Sequence, residues 1–188
     1  VREYGQRHPD RVRLLLPERN IGMGANFTAT LAACRAPWVA FIDADVFAEP
    51  GWIAAIDRAF ADEAAQVIGG DIRIAPADPA RLTMVEAYES VFGYRQQLYI
   101  TRDGYAATAN MALRRAVFDA VGPFAGLGVA EDMDWGQRAT ALGFAHAYRP
   151  EMRVRTPARP DFAALARKWD RHVAHFWAET RGAGAGET

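Results

Sequence analysis

The chain has one cysteine, no long apolar run and almost no excess charge. Cys34 has no second cysteine to pair with, so an internal disulfide is excluded and a reducing compartment is favoured. No apolar run approaches the ~20 residues that span a bilayer. Twenty-two basic residues oppose 23 acidic ones, and no basic stripe is visible, so a nucleic-acid partner is not expected. These absences favour a cytoplasmic globular protein.

The remaining composition is that of one ordinary folded domain. The chain has 188 residues, 51% of them hydrophobic and 24% charged. Helices are predicted over residues 1–8, 27–35, 50–60, 81–100, 114–121, 131–142 and from 161 onward. Strands are predicted over 12–16, 38–42, 67–74, 144–148 and 152–154, with 105–111 extended. Alternating strands and helices predict an α/β fold with a mostly parallel sheet, and residues 181–188 are predicted to be a disordered tail.

An acidic pair directly follows an uninterrupted apolar run. Residues 38–42 have the pattern of a strand covered on both faces, and Asp43 and Asp45 come next. Carboxylates at the carboxyl end of such a strand stand in the crevice where α/β sheets bind ligands. Because two close like charges repel, a hard cation such as Mg²⁺ or Mn²⁺ would stabilise them and could also bind a diphosphate. A solvated turn with an aspartate cap is the alternative.

A second acidic group opens a predicted helix. Glu131, Asp132 and Asp134 fall in the first turn of the helix predicted over 131–142. The helix dipole stabilises carboxylates there, which is a sufficient structural explanation on its own. A carboxylate at a helix N-terminus can also be oriented by backbone donors to accept a proton, so general-base chemistry stays open.

Three segments occur in a characteristic order and spacing. The first contains Asn20-Ile-Gly-Met-Gly-Ala-Asn26, then Trp38-Val-Ala-Phe-Ile-Asp-Ala-Asp-Val46, then Pro50-Gly-Trp52. The second is Thr108-Ala-Asn-Met-Ala-Leu-Arg-Arg115 with Gly122-Pro-Phe124, and the third is Glu131-Asp-Met-Asp-Trp135 with Arg138, Gly143 and Phe144. Over about residues 1–157, this pattern resembles the family-2 glycosyltransferases.

The resemblance implies a GT-A fold and an activity. A single sugar would pass, with inversion, from a nucleotide-diphosphate sugar to the hydroxyl of a carbohydrate, lipid-linked or protein acceptor. Asp43 and Asp45 would bind Mn²⁺ or Mg²⁺ and the diphosphate, with Asp45 the more direct ligand. Asp132 would be the general base, supported by Glu131. Asn20 would belong to the donor side, and Asn110 would lie near the donor sugar or the acceptor, although Asn110 also fits a turn.

Two features depart from the family pattern. Family members normally begin with two strands and a helix that hold the nucleotide base and ribose, so this chain is expected to lack that N-terminal part. The activity of such a fragment alone stays open. Many members also have a histidine near Arg155 that completes the metal site, whereas Thr156 stands here. His172 and His175 could compensate, but two polar residues on a solvated helix face is the simpler interpretation.

Two other functions remain as alternatives. A phosphatase of the haloacid-dehalogenase type also places Asp-x-Asp after an apolar strand, with the first aspartate as nucleophile. In such phosphatases the motif normally lies near the start of the chain and is followed by a threonine. Here Val46 and Phe47 follow it. The second alternative is a remnant that binds a nucleotide sugar without transferring it.

The predicted last helix has an apolar stripe with basic flanks. Trp169 and Trp177 occur beside Arg167, Lys168 and Arg171. Such a helix could rest on the inner face of a membrane, where lipid-linked acceptors are found. Packing against the core of its own domain is the more frequent explanation.

Overall fold

A computed structural model describes residues 2–126 and 130–183. Its helices are α1 Arg2–Arg7, α2 Met23–Ala33, α3 Trp52–Phe60, α4 Met84–Phe92, α5 Gln96–Thr101, α6 Arg115–Val121, α7 Glu131–Ala141 and α8 Phe162–Ala183. Its strands are β1 Trp38–Ile42, β2 Phe47–Ala48, β3 Val67–Ala75, β4 Asn110–Arg114 and β5 His146–Pro157. The α/β class predicted from the alternation of elements is confirmed.

The sheet is mixed, and the prediction of a mostly parallel sheet is wrong for the described residues. The strand order is β1-β4-β3-β5-β2, and only the β3–β5 pair is parallel. The sheet is mixed because of the direction in which β4 runs. After α5 the chain turns back to the edge where β1 ends, so β4 enters the sheet from that edge and runs antiparallel to β1 and β3. As a result, β1, β3 and β5 all run in the same direction, and their C-terminal ends lie on the same side of the sheet.

Several predicted elements have different bounds. The strand predicted over 12–16 is wrong, because this segment pairs with no strand among the described residues and leaves its leucines exposed. The helix predicted over 81–100 is divided at residues 93–95 into α4 and α5. The two strands predicted over 144–148 and 152–154 are one strand, β5, whose register shifts opposite Gly70 and Asp71.

The core lies on both faces of the sheet, which explains the layered arrangement. One face packs α3 onto the strands through residues such as Trp52, Ile56, Ile68 and Val154. The opposite face packs α2, α6 and α7 through residues such as Leu31, Phe41, Leu113 and Trp135. Burial of these side chains is the dominant favourable contribution to folding. Helices on both faces of the sheet therefore support the strand ends that carry the acidic residues.

The C-terminal helix is longer than predicted. Residues 181–183 of the predicted tail continue α8, and residues 184–188 lie outside the described part of the chain. Across residues 2–126 and 130–183, no helix has both the length and the hydropathy to cross a bilayer.

Candidate active site

The acidic pair lies where three strand ends meet. Ile42, the last residue of β1, pairs with Asn110, the first residue of β4. Asp43 therefore stands at the sheet edge beside the segment that enters β4. The short strand β2 pairs Phe47 with Arg155 of β5, and extending this antiparallel register brings Asp45 to the end of β5. The predicted position of the acidic motif at a strand end is thus observed.

Asp43 lies in a crowded acidic environment. Its carboxylate is half-buried, and burial raises its pKa, with further contributions from the negative charges of Asp45 and Glu131. Asp45 is exposed. The charge of Glu131, the first residue of α7, thus acts on Asp43 at the end of β1, although 88 positions separate the two residues. The fold therefore brings the two predicted acidic motifs together.

Asp132 lies in an environment that raises the pKa of its carboxyl group. Burial raises its pKa to about 6, and the neighbouring charge of Glu131 contributes to the rise. The backbone N–H of Met133 donates to Asp132 Oδ1 across 2.8 Å and opposes this rise. A pKa near 6 leaves the carboxylate ionised but basic at neutral pH.

Asp134, in the same helical turn, has a structural partner. Its Oδ2 receives Arg138 Nε at 3.0 Å and Nη2 at 2.9 Å. Arg138 also donates to the carbonyl oxygens of Val121 and Pro123, at 3.0 and 2.7 Å. The Asp134–Arg138 pair attaches α7 to the turn after α6. Asp134 therefore has a structural role that Asp132 does not share.

A glycine sets the distance between α7 and the segment before β4. A Cβ added to Gly136 would lie 2.4 Å from the Cβ of Tyr105, so a larger residue would push the two elements apart. On the same side, Thr140 Oγ1 donates to the carbonyl oxygen of Gly104 at 2.8 Å. These contacts hold the segment before β4 against α7.

Three tyrosines line the acidic region, and sequence reasoning missed them. Burial raises the pKa of Tyr94 to about 12, with contributions from Asp43 and Asp45. The rings of Tyr99 and Tyr105 stack with centroids 5.1 Å apart, and burial together with Asp132 raises the pKa of both. The only signal in the sequence is their clustering around the turn at Gly104, which does not distinguish a site from ordinary packing.

Asn110 is a structural residue in this arrangement. Its side chain is fully buried, and its Oδ1 accepts the indole N–H of Trp52 at 2.9 Å. Its Nδ2 donates to the carbonyl oxygens of Asp71 and Met152, at 3.0 and 2.8 Å. The side chain is therefore fully engaged by hydrogen bonds inside the core. A role for Asn110 at the donor or the acceptor stays a prediction.

Asn20 shapes the turn before α2. Its Oδ1 accepts the backbone N–H of Gly22 at 3.0 Å, and its side chain is exposed. Gly22, the N-cap of α2, has a φ of 81°, which glycine adopts without strain. A role for Asn20 in donor binding stays a prediction.

The residues present fit a hard divalent cation in part. Asp43 and Asp45 supply carboxylate oxygens, and their mutual repulsion is the condition that a cation relieves. Thr156 is 2% exposed within β5, so its hydroxyl is not available as a third ligand. In the described part of the chain, no group of three His, Cys, Asp or Glu side chains could hold a metal, and the side chains of His172 and His175 lie outside the described residues. Diphosphate oxygens would have to complete the coordination.

Comparison with known proteins connects this geometry to a family. A family model described as "Glycosyltransferase like family 2" matches residues 1–174. The glycosyltransferase AglE of Haloferax volcanii is 25% identical over 160 residues, which are 85% of this chain and 52% of that protein.

Two solved structures share the fold. The mannosyltransferase PcManGT of Pyrobaculum calidifontis, in complex with GDP-Man and Mn²⁺, gives a TM-score of 0.62 at 19% identity and covers 96% of this chain and 50% of its own. TarS of S. aureus, in complex with UDP-GlcNAc, gives 0.59 at 14% identity and covers 87% of this chain and 47% of its own. The GT-A fold implied by the resemblance is confirmed, and the chain spans about half the length of these relatives.

Proposed function

The chain belongs to glycosyltransferase-like family 2, and on that premise we propose that it transfers one sugar from a nucleotide-diphosphate sugar to an acceptor hydroxyl with inversion. The observation that carries the proposal is the meeting of the two acidic motifs. Asp43 and Asp132 come from distant segments, and Glu131 raises the pKa of both. A base and a diphosphate site side by side are what a single displacement needs.

The proposed reaction uses Asp132 as the general base. The acceptor oxygen attacks the anomeric carbon of the donor sugar while its proton passes to the Asp132 carboxylate. The bond between the anomeric carbon and the diphosphate oxygen breaks, and the diphosphate leaves with the electron pair. Attack from the side opposite the leaving group inverts the anomeric centre. The backbone N–H of Met133, which donates to Asp132 Oδ1 at 2.8 Å, helps to keep the carboxylate oriented for this transfer.

Asp43 and Asp45 are the residues that would hold Mn²⁺ or Mg²⁺. When bound, such an ion neutralises the charge that develops on a departing diphosphate. Asp45 is the exposed member of the pair and lies at the end of β5, so it is the better placed to reach a diphosphate. The complex of PcManGT with GDP-Man and Mn²⁺ supports this part of the proposal by similarity of fold.

The alternatives lose their support. The family assignment and the similar structures give no ground for a phosphatase that uses Asp43 as a nucleophile. A remnant that binds without transfer would keep the acidic pair but would not need a base, whereas Asp132 keeps a raised pKa and a backbone donor.

The test replaces Asp132 with its uncharged isostere. Asp132→Asn keeps the shape but cannot accept the proton, so transfer should fall by about 100-fold or more while donor affinity survives. Asp134→Asn is the matched control, because this aspartate lies in the same helical turn and pairs with Arg138. Transfer should be measured by product formation and donor affinity by calorimetry. A near wild-type rate for Asp132→Asn would refute the assignment of the base.

A further inference from the structure

Five charged side chains form an ion-pair network where β3, β5 and the end of β2 lie side by side. Arg73 Nε donates to Asp71 Oδ2 at 2.6 Å, and Arg155 Nε donates to Glu49 Oε1 at 2.5 Å. Between these two pairs, Arg153 lies 3.5 Å from Glu49 and 3.6 Å from Asp71. The network therefore runs from Arg73 to Arg155 with an arginine at each end, and positive charge is in excess.

The two ends of the network are neighbours in the sheet. Arg73 of β3 and Arg155 of β5 are paired in the parallel register of these strands. Adjacent strands lie about 4.8 Å apart, and side chains alternate between the two faces of a sheet. The preceding residues, Ile72 and Val154, are buried in the core, so Arg73 and Arg155 lie on the opposite face. The fold thus places two guanidinium groups side by side.

Two like charges opposite each other on neighbouring strands destabilise a sheet. The carboxylates of Asp71 and Glu49 each pair with one of these arginines and with Arg153, so they compensate the repulsion only in part. Exposed ion pairs also contribute little to stability, so a purely structural role does not account for the arrangement. A bound anion would relieve the repulsion between Arg73 and Arg155.

Both arginines are accessible to a ligand. Their side chains are 53% and 51% exposed. In the described part of the chain, each makes its hydrogen bond through Nε and none through its Nη groups. The Nη groups of two adjacent guanidinium groups match the several oxygens of a phosphate. Asp71 and Glu49 already orient the two side chains, so less side-chain freedom would be lost when a phosphate binds.

The arginine pair lies close to the proposed metal-binding carboxylates. On its other side β5 pairs with β2, where Phe47 is opposite Arg155 and 66% exposed. Asp45 precedes Phe47 by two residues, a span of at most about 7 Å. A phosphate-bearing substrate bound at Asp45 would therefore extend to the arginine pair one strand away.

We propose that Arg73 and Arg155 form a binding site for a phosphate group and that this group belongs to a substrate of the transfer reaction. The anion site follows from the geometry of the network, and only the statement about the substrate rests on the proposed function. The phosphate comes either from the diphosphate of the donor or from a phosphorylated acceptor.

Titration with inorganic phosphate tests the anion site. The 188-residue chain is titrated in the presence of a chelator, so that no metal at Asp43 and Asp45 binds the phosphate, and the NMR signals of the arginine Nε–H groups are followed. Binding at Arg73 and Arg155 is expected, and Arg73→Gln with Arg155→Gln should weaken it by about tenfold or more. Equal phosphate affinity for wild type and this variant, or no change at the two signals, would overturn the site.

Two further variants serve as controls. Arg58→Gln with Arg81→Gln removes the same charge from exposed arginines, one on α3 and one before α4, and should leave phosphate affinity unchanged. A loss as large as that of the Arg73 and Arg155 variant would show a nonspecific effect of net charge and overturn the site. Arg73→Lys with Arg155→Lys keeps both charges but loses the paired donors, so an intermediate affinity is expected in a chain that keeps its ion pairs.

Donor affinity identifies the source of the phosphate. Calorimetry with GDP- and UDP-sugars in Mn²⁺ compares wild type with Arg73→Gln, Arg155→Gln. A loss of about tenfold assigns the phosphate to the donor, whereas an unchanged donor affinity, with no competition by inorganic phosphate, assigns it to the acceptor. Failure of the wild type to bind any nucleotide sugar would contradict the proposed function, and the phosphate titration tests the anion site without a nucleotide sugar.

Discussion

The indole N–H of Trp52 donates to Asn110 Oδ1 across 2.9 Å, and this buried bond joins two parts of the site. Trp52 begins the helix that follows the acidic pair, and Asn110 begins the strand that follows the segment around Thr108. The same amide donates to backbone carbonyls of β3 and β5. One side chain therefore ties four elements together beside the end of β1, which Asp43 follows.

Replacing the Asn110 side chain should mainly lower the stability of the fold, and only secondarily the rate of the reaction. Asn110→Ala leaves the Trp52 indole and the carbonyl groups of Asp71 and Met152 without their partner in a buried place. The free energy of unfolding should fall by about 2–4 kcal/mol. Urea unfolding measures it. Trp52→Phe removes one of the three bonds and keeps a ring, so a smaller loss is expected, and a wild-type stability for Asn110→Ala would contradict the structural role.

The positions of the acidic motifs were predictable because they depend on which residues follow one another within a short stretch of the sequence. A buried apolar strand followed by Asp43, and a helix start at Glu131, are patterns that the chain shows within a few residues. The fold family followed from their order along the chain. The general base stays a prediction, but its burial and raised pKa are consistent with the expectation drawn for Asp132.

The parts that sequence reasoning missed depend on distant partners. The direction of β4 is decided by the path of residues 102–109 back to the same sheet edge, and no local pattern records that path. The inward orientation of Glu89 depends on Lys168, which is 79 positions away.

A metal prediction follows from the acidic pair. If Asp45 binds the cation together with the diphosphate, Asp45→Ala should remove the part of the nucleotide-sugar affinity that depends on Mn²⁺, a loss of tenfold or more. Calorimetry with GDP- and UDP-sugars, in Mn²⁺ and in chelator, measures this part. Asp57→Ala, which alters an exposed aspartate on α3, is the control. Equal affinities for wild type and Asp45→Ala in both conditions would contradict the metal site.

A stability prediction concerns His146. Burial lowers the pKa of this imidazole from 6.5 to about 4, and its Nε2 is buried without a hydrogen-bond partner among the described residues. Between pH 6.5 and 4 the unfolded chain binds a proton at His146 that the folded chain does not bind. The stability from this residue is therefore present above pH 6.5 and is lost as the pH falls toward 4, by about 1–3 kcal/mol.

His146→Gln isolates this contribution. The variant cannot be protonated at this position, so its free energy of unfolding should decline less than that of wild type between pH 7 and pH 4.5. Other groups titrate in the same range, and the difference between the two proteins removes their effect. Parallel declines in urea unfolding would show that His146 is accessible to protons in the folded state.

The last prediction concerns the pH dependence of transfer. Asp132 accepts a proton only when ionised, and burial with the charge of Glu131 raises its pKa to about 6. The rate of transfer at limiting substrate should therefore fall as the pH decreases through about 6. Glu131→Gln removes the neighbouring negative charge and should therefore lower the pKa of Asp132. The acid limb of the pH–rate profile, where the rate falls with decreasing pH, should then move to lower pH. Asp134→Asn, which alters the aspartate paired with Arg138, should leave the limb in place. An acid limb that ignores Glu131→Gln would mean that a group other than Asp132 takes the proton, because the charge of Glu131 contributes to the raised pKa of Asp132.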